Sequence, residues 1–389
     1  MPMWGFISLF CLILILYTYI VYPSFVIGLS RWRNSRKRIS QEAWGDEPIL
    51  PYVSFIVAVY NEEKSIEAKV QNCLQIEYPG NLIEFIFVSD GSTDGTNEIL
   101  EKYLCRGIRV LYLPKRAGKT AAQEAAVEHA KGEVLVFSDA STLVEPRSVL
   151  ALVRRLQDRS VGLVAGEDEW RNTVHHSAVE GQSLYVRYEM AIRKAESEIG
   201  TATASSGCFY AVRRTLRPSL DASLIDDFAT PLAVIEKGFR VVTEPNAKCY
   251  VPMTASEHRE FGRKVRIVAG GVYAMWRYRK LLNPLRSGVV AWQLWSHKVL
   301  RWAVPFLALV MFVSSFLWAV GSKIGRAFVV MEFLFLFAAL LGWMARGHSP
   351  VVKLLRIPFF LVMSNYAVFA GVVHCLLHGS PATWEPSRR

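Results

Sequence analysis

The chain lacks several things, and each shortage removes a class of protein. Its six cysteines show no paired spacing, so no disulfide framework is indicated, and Cys73, Cys105, Cys208 and Cys249 are expected as reduced thiols. No internal repeat or low-complexity segment stands out. The stretch Ala58-Val59-Tyr60-Asn61-Glu62 carries no glycine, so the glycine-rich phosphate loop of a sugar-nucleotidyltransferase is missing. The C-terminal apolar runs hold no pair of charges, only the isolated Glu332 and His374, which speaks against transport. From Gly5 to Leu29 nothing ionises except tyrosines and Cys11.

That last absence is a membrane signal. A helix over Gly5–Leu29 is long enough to cross roughly 30 Å of hydrocarbon. It lacks a basic leading region and a small-x-small cleavage site, so an uncleaved anchor is expected rather than a signal peptide. Arg31, Arg33, Arg36, Lys37 and Arg38 follow at once, which places the N-terminus outside and the next segment in the cytosol of a plasma or inner membrane. Apolar runs return at Val299–Val320, Ala327–Met344 and Ile357–Leu377. Three further crossings put the connector with Arg346, Lys353 and Arg356 inside, and the tail outside although it ends in Arg388-Arg389. Trp292–Trp302 mixes Trp with His297, Lys298 and Arg301 and reads as an interfacial helix. The expected organisation is an anchor at 1–30, a basic linker at 31–50, a catalytic-sized domain at 51–280, an interfacial region at 281–298, membrane helices within 299–378 and a tail at 379–389. The net charge of +11 clusters beside the membrane segments, suiting anionic lipid rather than nucleic acid.

Between Pro51 and Lys280, β-rich runs alternate with helical patterns. Strands are expected at Val53–Val59, Phe85–Ser89, Val110–Leu113 and Val134–Ser138, with helices at Glu62–Gln75, Thr93–Cys105 and Lys119–Lys131. This order predicts an α/β fold with a mostly parallel sheet. Ligands of such sheets bind beyond the C-terminal strand ends. The polar residues gather there: Tyr60-Asn61-Glu62, Asp90 to Gly95, and Asp139.

Each cluster has a chemistry. Asp90 ends a strand and is placed to meet a nucleotide base or ribose, while Ser92 or Thr93 caps the next helix. Lys115-Arg116-Ala117-Gly118-Lys119 sets three cations around a glycine before a helix, a diphosphate site in physical terms. Asp139, with Ser141 two residues on, offers one hard oxygen ligand for Mg²⁺ or Mn²⁺. Asp226 and Asp227 lie in a turn before a helix at Phe228–Lys237; adjacent carboxylates in a cleft raise one pKa and make a base. Gly207, within Ser205-Ser206-Gly207-Cys208, permits close approach of an acceptor. Arg259, Arg263, Lys264 and Arg266 form a helical basic stripe, either a leaving-group clamp or a membrane-facing patch.

With these residues in order, the chain resembles membrane-bound family-2 inverting glycosyltransferases of the GT-A fold, the group containing cellulose, chitin, hyaluronan and poly-N-acetylglucosamine synthases. The resemblance covers roughly residues 50–280. It implies that Ala58, Tyr60, Glu62 and Asp90 hold the base and ribose of a nucleotide-sugar, a UDP-sugar first among the candidates, and that Lys119 lies near the diphosphate. Asp139 matches the first Asp of the Asp-x-Asp metal motif, with Ser141 in place of the second. Ile225-Asp226-Asp227 matches Thr-Glu-Asp, implying Asp227 as catalytic base. Arg263 to Ile267 sits where processive members carry Gln-x-x-Arg-Trp: Arg266 is kept, and Arg263 and Ile267 replace the Gln and the Trp. Without that Trp, transfer of one or a few sugars is expected over long-chain synthesis. The implied partners are a glycan or lipid-linked acceptor, membrane lipids and cell-envelope assembly proteins. A processive polysaccharide synthase and a non-catalytic nucleotide-sugar-binding scaffold are the alternatives.

Overall fold

A computed structural model describes residues 3–37, 49–171, 178–252, 257–345 and 349–379. Eight strands form one sheet: β1 (Val53–Val59), β2 (Ile83–Asp90), β3 (Ile108–Leu113), β4 (Val134–Asp139), β5 (Leu143–Val144), β6 (Val161–Arg171), β7 (Phe209–Arg213) and β8 (Arg240–Pro252), in the order β3-β2-β1-β4-β7-β6-β8-β5. The four strands expected from the sequence are parallel neighbours. Beyond β4 the sheet becomes mixed: β7 runs antiparallel to both β4 and β6, whereas β6 and β8 are parallel.

β1 explains the layering. All seven of its residues are buried, as a strand covered on both faces requires. Val53, Phe55, Val57 and Val59 pack with Ile66, Val70, Leu100 and Leu152 from the helices on one face. Ile56 and Ala58 point the other way, to Ala122, Ala126, Phe228 and Leu232. The second layer continues through Ala274 and Met275 to Leu294, and so joins the sheet to the apolar helices.

Among the described residues, four helices are long and apolar enough to cross a membrane: Met3–Ser35, Val289–Ala319, Lys323–Met344 and Pro350–His378. Even the shortest, at 22 residues, is about 33 Å long at 1.5 Å per residue. The boundary expected at 298/299 is corrected here: the stretch Trp292–Trp302, expected as an interfacial helix leading into the bilayer, lies within the long helix Val289–Ala319, and two of its polar groups, His297 and Arg301, are turned into protein. His297 is buried, with Nδ1 2.8 Å from Glu196 Oε1 and Nε2 3.2 Å from Glu189 Oε2; Arg301 pairs with Glu189 as well. Both carboxylates belong to the helix Ala178–Ile199, which also receives the N-terminal helix: Tyr22 donates to Glu196 at 2.5 Å. Buried charges require partners, and helix Ala178–Ile199 supplies them.

Two further corrections are local. The helix after Asp90 begins at Thr96, and Asp94 Oδ1 accepts from the Thr96 N–H at 3.1 Å; Thr93 bonds back to Asn61 instead of capping. The helix expected from Phe228 runs Asp226–Glu236, so Asp226 and Asp227 are its first turn rather than a preceding loop.

Candidate active site

The parallel strands place their ends in one line. Ala58 pairs with Val88 on one side and with Asp139 on the other, and Asp90 pairs with Leu113. What gathers there is organised by Lys119, the first residue of the helix Lys119–His129. Its Nζ lies 2.8 Å from Asp139 Oδ1 and 3.9 Å from Asp226 Oδ1, and donates to the Gly207 carbonyl at 3.1 Å. Burial alone would lower its pKa, but Asp139 and then Asp226 outweigh that and hold it above the usual lysine value. One ammonium therefore joins the end of β4, the turn before β7 and the first turn of the helix Asp226–Glu236.

The two carboxylates of that helix differ. Asp226 is buried; its Oδ2 accepts from Gln123 Nε2 and from the Tyr210 hydroxyl, both at 3.0 Å. Asp227 is partly open. Burial, then Asp226, with Asp139 adding, push the Asp227 pKa up to about 6, while Lys119 and Lys298 oppose the rise. Gly207 is required here for space: a Cβ on it would lie 2.4 Å from Asp227 Oδ2. Pro231 fixes the same residue from the backbone. It has no N–H to give the carbonyl four residues back, which is that of Asp227. That carbonyl instead accepts from the Ser205 N–H at 3.1 Å and the Ser205 hydroxyl at 3.0 Å.

The other end of the cleft is built around Asp90 and Arg116. Asp90 is fully buried, and its two oxygens accept from the N–H groups of Ala117 and Gly118 at 2.7 and 2.8 Å. These two bonds make Asp90 shape the 115–118 loop, and each of its carboxylate oxygens has a second lone pair. Arg116 lies over the Tyr60 ring at 4.2 Å, a cation–π distance. Its Nε and Nη2 are buried without a hydrogen-bond partner among the described residues, a departure from the norm for such groups. The Glu62 carboxylate accepts from Ser65, and the Glu62 N–H donates to Thr96 at 2.9 Å. Arg266, on the helix Glu257–Arg277, has its pKa lowered by burial and by Arg263, against the pull of Asp227 and Asp139. Ile267 is 38% exposed. The side chain of Arg259 lies outside the described residues.

The structure thus brings Asp139, Asp226, Asp227, Lys119, Gly207 and Arg266 into one electrostatic cluster, with Tyr60, Asp90 and Arg116 on its flank. Sequence reasoning missed four contributors. Lys69 is completely buried, yet its Nζ donates to Ser138 Oγ at 2.7 Å and to the Thr142 carbonyl at 2.6 Å, anchoring the turn that carries Asp139. Asp168 accepts from Ser206 at 2.5 Å, and Arg193 donates to the Ser205 carbonyl at 2.7 Å, so both hold the turn beside Asp227. Lys298, from an apolar helix, lies over the Phe228 ring at 5.6 Å.

Residues 54–216 match the model of Glycosyl transferase family 2. Poly-beta-1,6-N-acetyl-D-glucosamine synthase of Staphylococcus aureus is 25% identical over 228 residues, 56% of this chain and 54% of that protein. The Staphylococcus epidermidis enzyme is 24% identical over the same length. The chain thus spans about half the length of the curated relatives it matches. Among solved structures, mannosyltransferase PcManGT from Pyrobaculum calidifontis, in complex with GDP-Man and Mn2+, superposes with a TM-score of 0.67 at 21% identity, covering 95% of this chain and 99% of that one. The fold is GT-A, and residues 54–216 are the part of the chain similar to Glycosyl transferase family 2.

Proposed function

We propose that this protein is a membrane-embedded inverting glycosyltransferase that moves a sugar from a nucleotide-sugar donor to a membrane-proximal glycan or lipid-linked acceptor. The observation that carries the reading is the partly open Asp227 carboxylate, raised to about 6 and set against Gly207 beside the Lys119 ammonium. A carboxylate with that pKa is ionised at neutral pH yet basic enough to take a proton. Asp227 removes the proton of an acceptor hydroxyl as that oxygen attacks the anomeric carbon from the face opposite the diphosphate. The bond to the diphosphate breaks as the new one forms, so the configuration inverts. Lys119, Arg266 and Arg116 neutralise the departing charge. Tyr60 with Ala58 and Glu62 borders the nucleoside end.

A divalent cation fits this site only in part. No group of three or more His, Cys, Asp or Glu able to hold a metal occurs among the described residues, and Asp139 is already paired with Lys119. Mg²⁺ and Mn²⁺ are nonetheless held by one or two carboxylates when phosphate oxygens complete the shell. Asp139, with Ser141 nearby, would hold such an ion, which would supply charge neutralisation on the diphosphate.

A lipid-linked acceptor is supported by how the basic helix meets the membrane region. Lys264 Nζ donates to Ser364 Oγ at 3.0 Å, Phe261 stacks on Tyr366 at 5.4 Å, and Gly371 leaves room for Val265 and Val268. The helix bearing Arg263 and Arg266 therefore lies against Pro350–His378. With Ile267 where the stacking Trp of processive members stands, transfer of one or a few sugars is favoured over a long polymer. Membranes incubated with radiolabelled donors from a panel of UDP- and GDP-sugars separate the readings. Label extracted into organic solvent supports a lipid-linked product; insoluble polymer supports a processive synthase. Absence of nucleoside diphosphate release from every donor, with and without Mn²⁺, leaves only the non-catalytic scaffold.

A further inference from the structure

A cleft of about 630 Å³, lined by none of the residues of the catalytic cluster, lies between the end of the N-terminal helix and the helix Ala178–Ile199. Its two walls are single helix faces. From the first come Ile27, Ser30, Arg31, Asn34 and Ser35; from the second, Ala191, Lys194, Ala195 and Glu198. Both sets follow the three- and four-residue spacing that lines up side chains along one side of a helix.

The cleft is chemically divided. Ile27, Ala191 and Ala195 give it an apolar wall. Arg31 and Lys194 contribute cations, and among the described residues neither makes an ion pair or a side-chain hydrogen bond. Glu198 contributes the carboxylate, held in place by a hydrogen bond from the Ser30 hydroxyl. Arg33 braces the same junction by donating to the Ile199 carbonyl at 2.5 Å. Depth supplies the second argument. The uncharged run ends at Leu29, so Arg31 stands within one turn of the apolar edge, where lipid headgroups lie. Trp32, 53% exposed, marks the same level.

Two unpaired cations beside one fixed carboxylate, at headgroup depth and next to an apolar wall, are the complement of a zwitterionic aminophospholipid. We infer that this cleft binds a phosphoethanolamine headgroup, its phosphate between Arg31 and Lys194 and its ammonium on Glu198. A bound lipid would tie the N-terminal helix to the helix that, through Arg193, holds the Ser205 turn beside Asp227.

The test is native mass spectrometry on the delipidated full-length chain in detergent, titrated with phosphatidylethanolamine, phosphatidylglycerol or diacylglycerol. Phosphatidylethanolamine is expected to bind in preference to both others. The double variant Arg31→Gln/Lys194→Gln should weaken it roughly 25-fold, about fivefold for each cation lost. The charge-preserving Arg31→Lys/Lys194→Arg should retain it, and Glu198→Gln, which keeps an acceptor for Ser30, should abolish the preference over phosphatidylglycerol. Equal retention of diacylglycerol, unchanged binding by the double glutamine variant, or displacement of the lipid by millimolar inorganic phosphate would overturn the inference. Nucleoside diphosphate release, measured in parallel, reports separately on the catalytic cluster.

Discussion

The β1–β4 half of the sheet and the half built from β6–β8 with the apolar helices reach the same cleft by different means. In the first half, a strand ends and its last residue is in place: Asp139 closes β4, and Lys119 opens the helix that follows β3. In the second, position depends on interruption. Pro231 frees the Asp227 carbonyl for Ser205, and Pro23 does the same for the Tyr19 carbonyl, which accepts from the Tyr188 hydroxyl at 2.8 Å. Regular secondary structure places the groups of the first half, and broken helices clamp those of the second to neighbouring elements.

The comparison breaks most completely at Lys119, where the halves meet. Lys119→Met leaves Asp139, Asp226 and Asp227 without their shared cation. Turnover should fall by about 10²–10³, and the thermal midpoint should fall with it, because one partner of a largely buried charge group has been removed. A stable variant with weakened donor affinity alone would confine Lys119 to the donor side.

Gly207→Ala attacks the acceptor side only. The added methyl collides with Asp227 Oδ2, and a displaced base should cost about 10² in kcat with donor affinity, read by calorimetry, unchanged. Unaltered kcat would mean that the carboxylate position is not set by this turn.

Two residues of the second half make opposite predictions about pH. The Asp227 pKa is raised to about 6, so the base is lost as pH falls, and kcat/KM should drop on an acid limb near pH 6. Lys298 favours the ionised form; Lys298→Met should therefore move that limb to higher pH. Asp226 disfavours it, so Asp226→Asn should move the limb lower. Limbs that stay put in both variants would assign the titration to another group. The smallest effect is expected from Ser205→Ala, which removes one of two bonds to the Asp227 carbonyl. About 1 kcal/mol is lost, and kcat should fall a fewfold while the pH profile keeps its shape.

Legibility in the sequence followed the same division. Buried β-branched runs and the polar residues after them revealed β1 to β4, because strand, turn and helix signals there lie within a few residues of each other. Asp90 shows the limit of that local reading: a carboxylate at a strand end carries no local mark of the two loop amides it accepts from. The pairing of β6 with β8 joins segments about 80 residues apart, and the contacts of Glu189 and Glu196 with His297 span 108 and 101 residues. No local pattern encodes such partners. His297 and Arg301 accordingly read as charges of an interfacial helix, and their carboxylate partners on the helix Ala178–Ile199 were not legible. Lys69 was hidden for the same reason, since a lysine in an amphipathic helix carries no mark of complete burial.

The central claim is that Asp227 is the proton acceptor of a sugar transfer carried out in the cleft that Lys119 organises. Asp227→Asn, nearly isosteric and unable to take a proton at neutral pH, tests it most directly in purified full-length protein, with nucleoside diphosphate release and donor binding measured on the same sample. The account predicts turnover reduced by about 10²–10⁴ with donor affinity preserved. Near-normal turnover in that variant would contradict it.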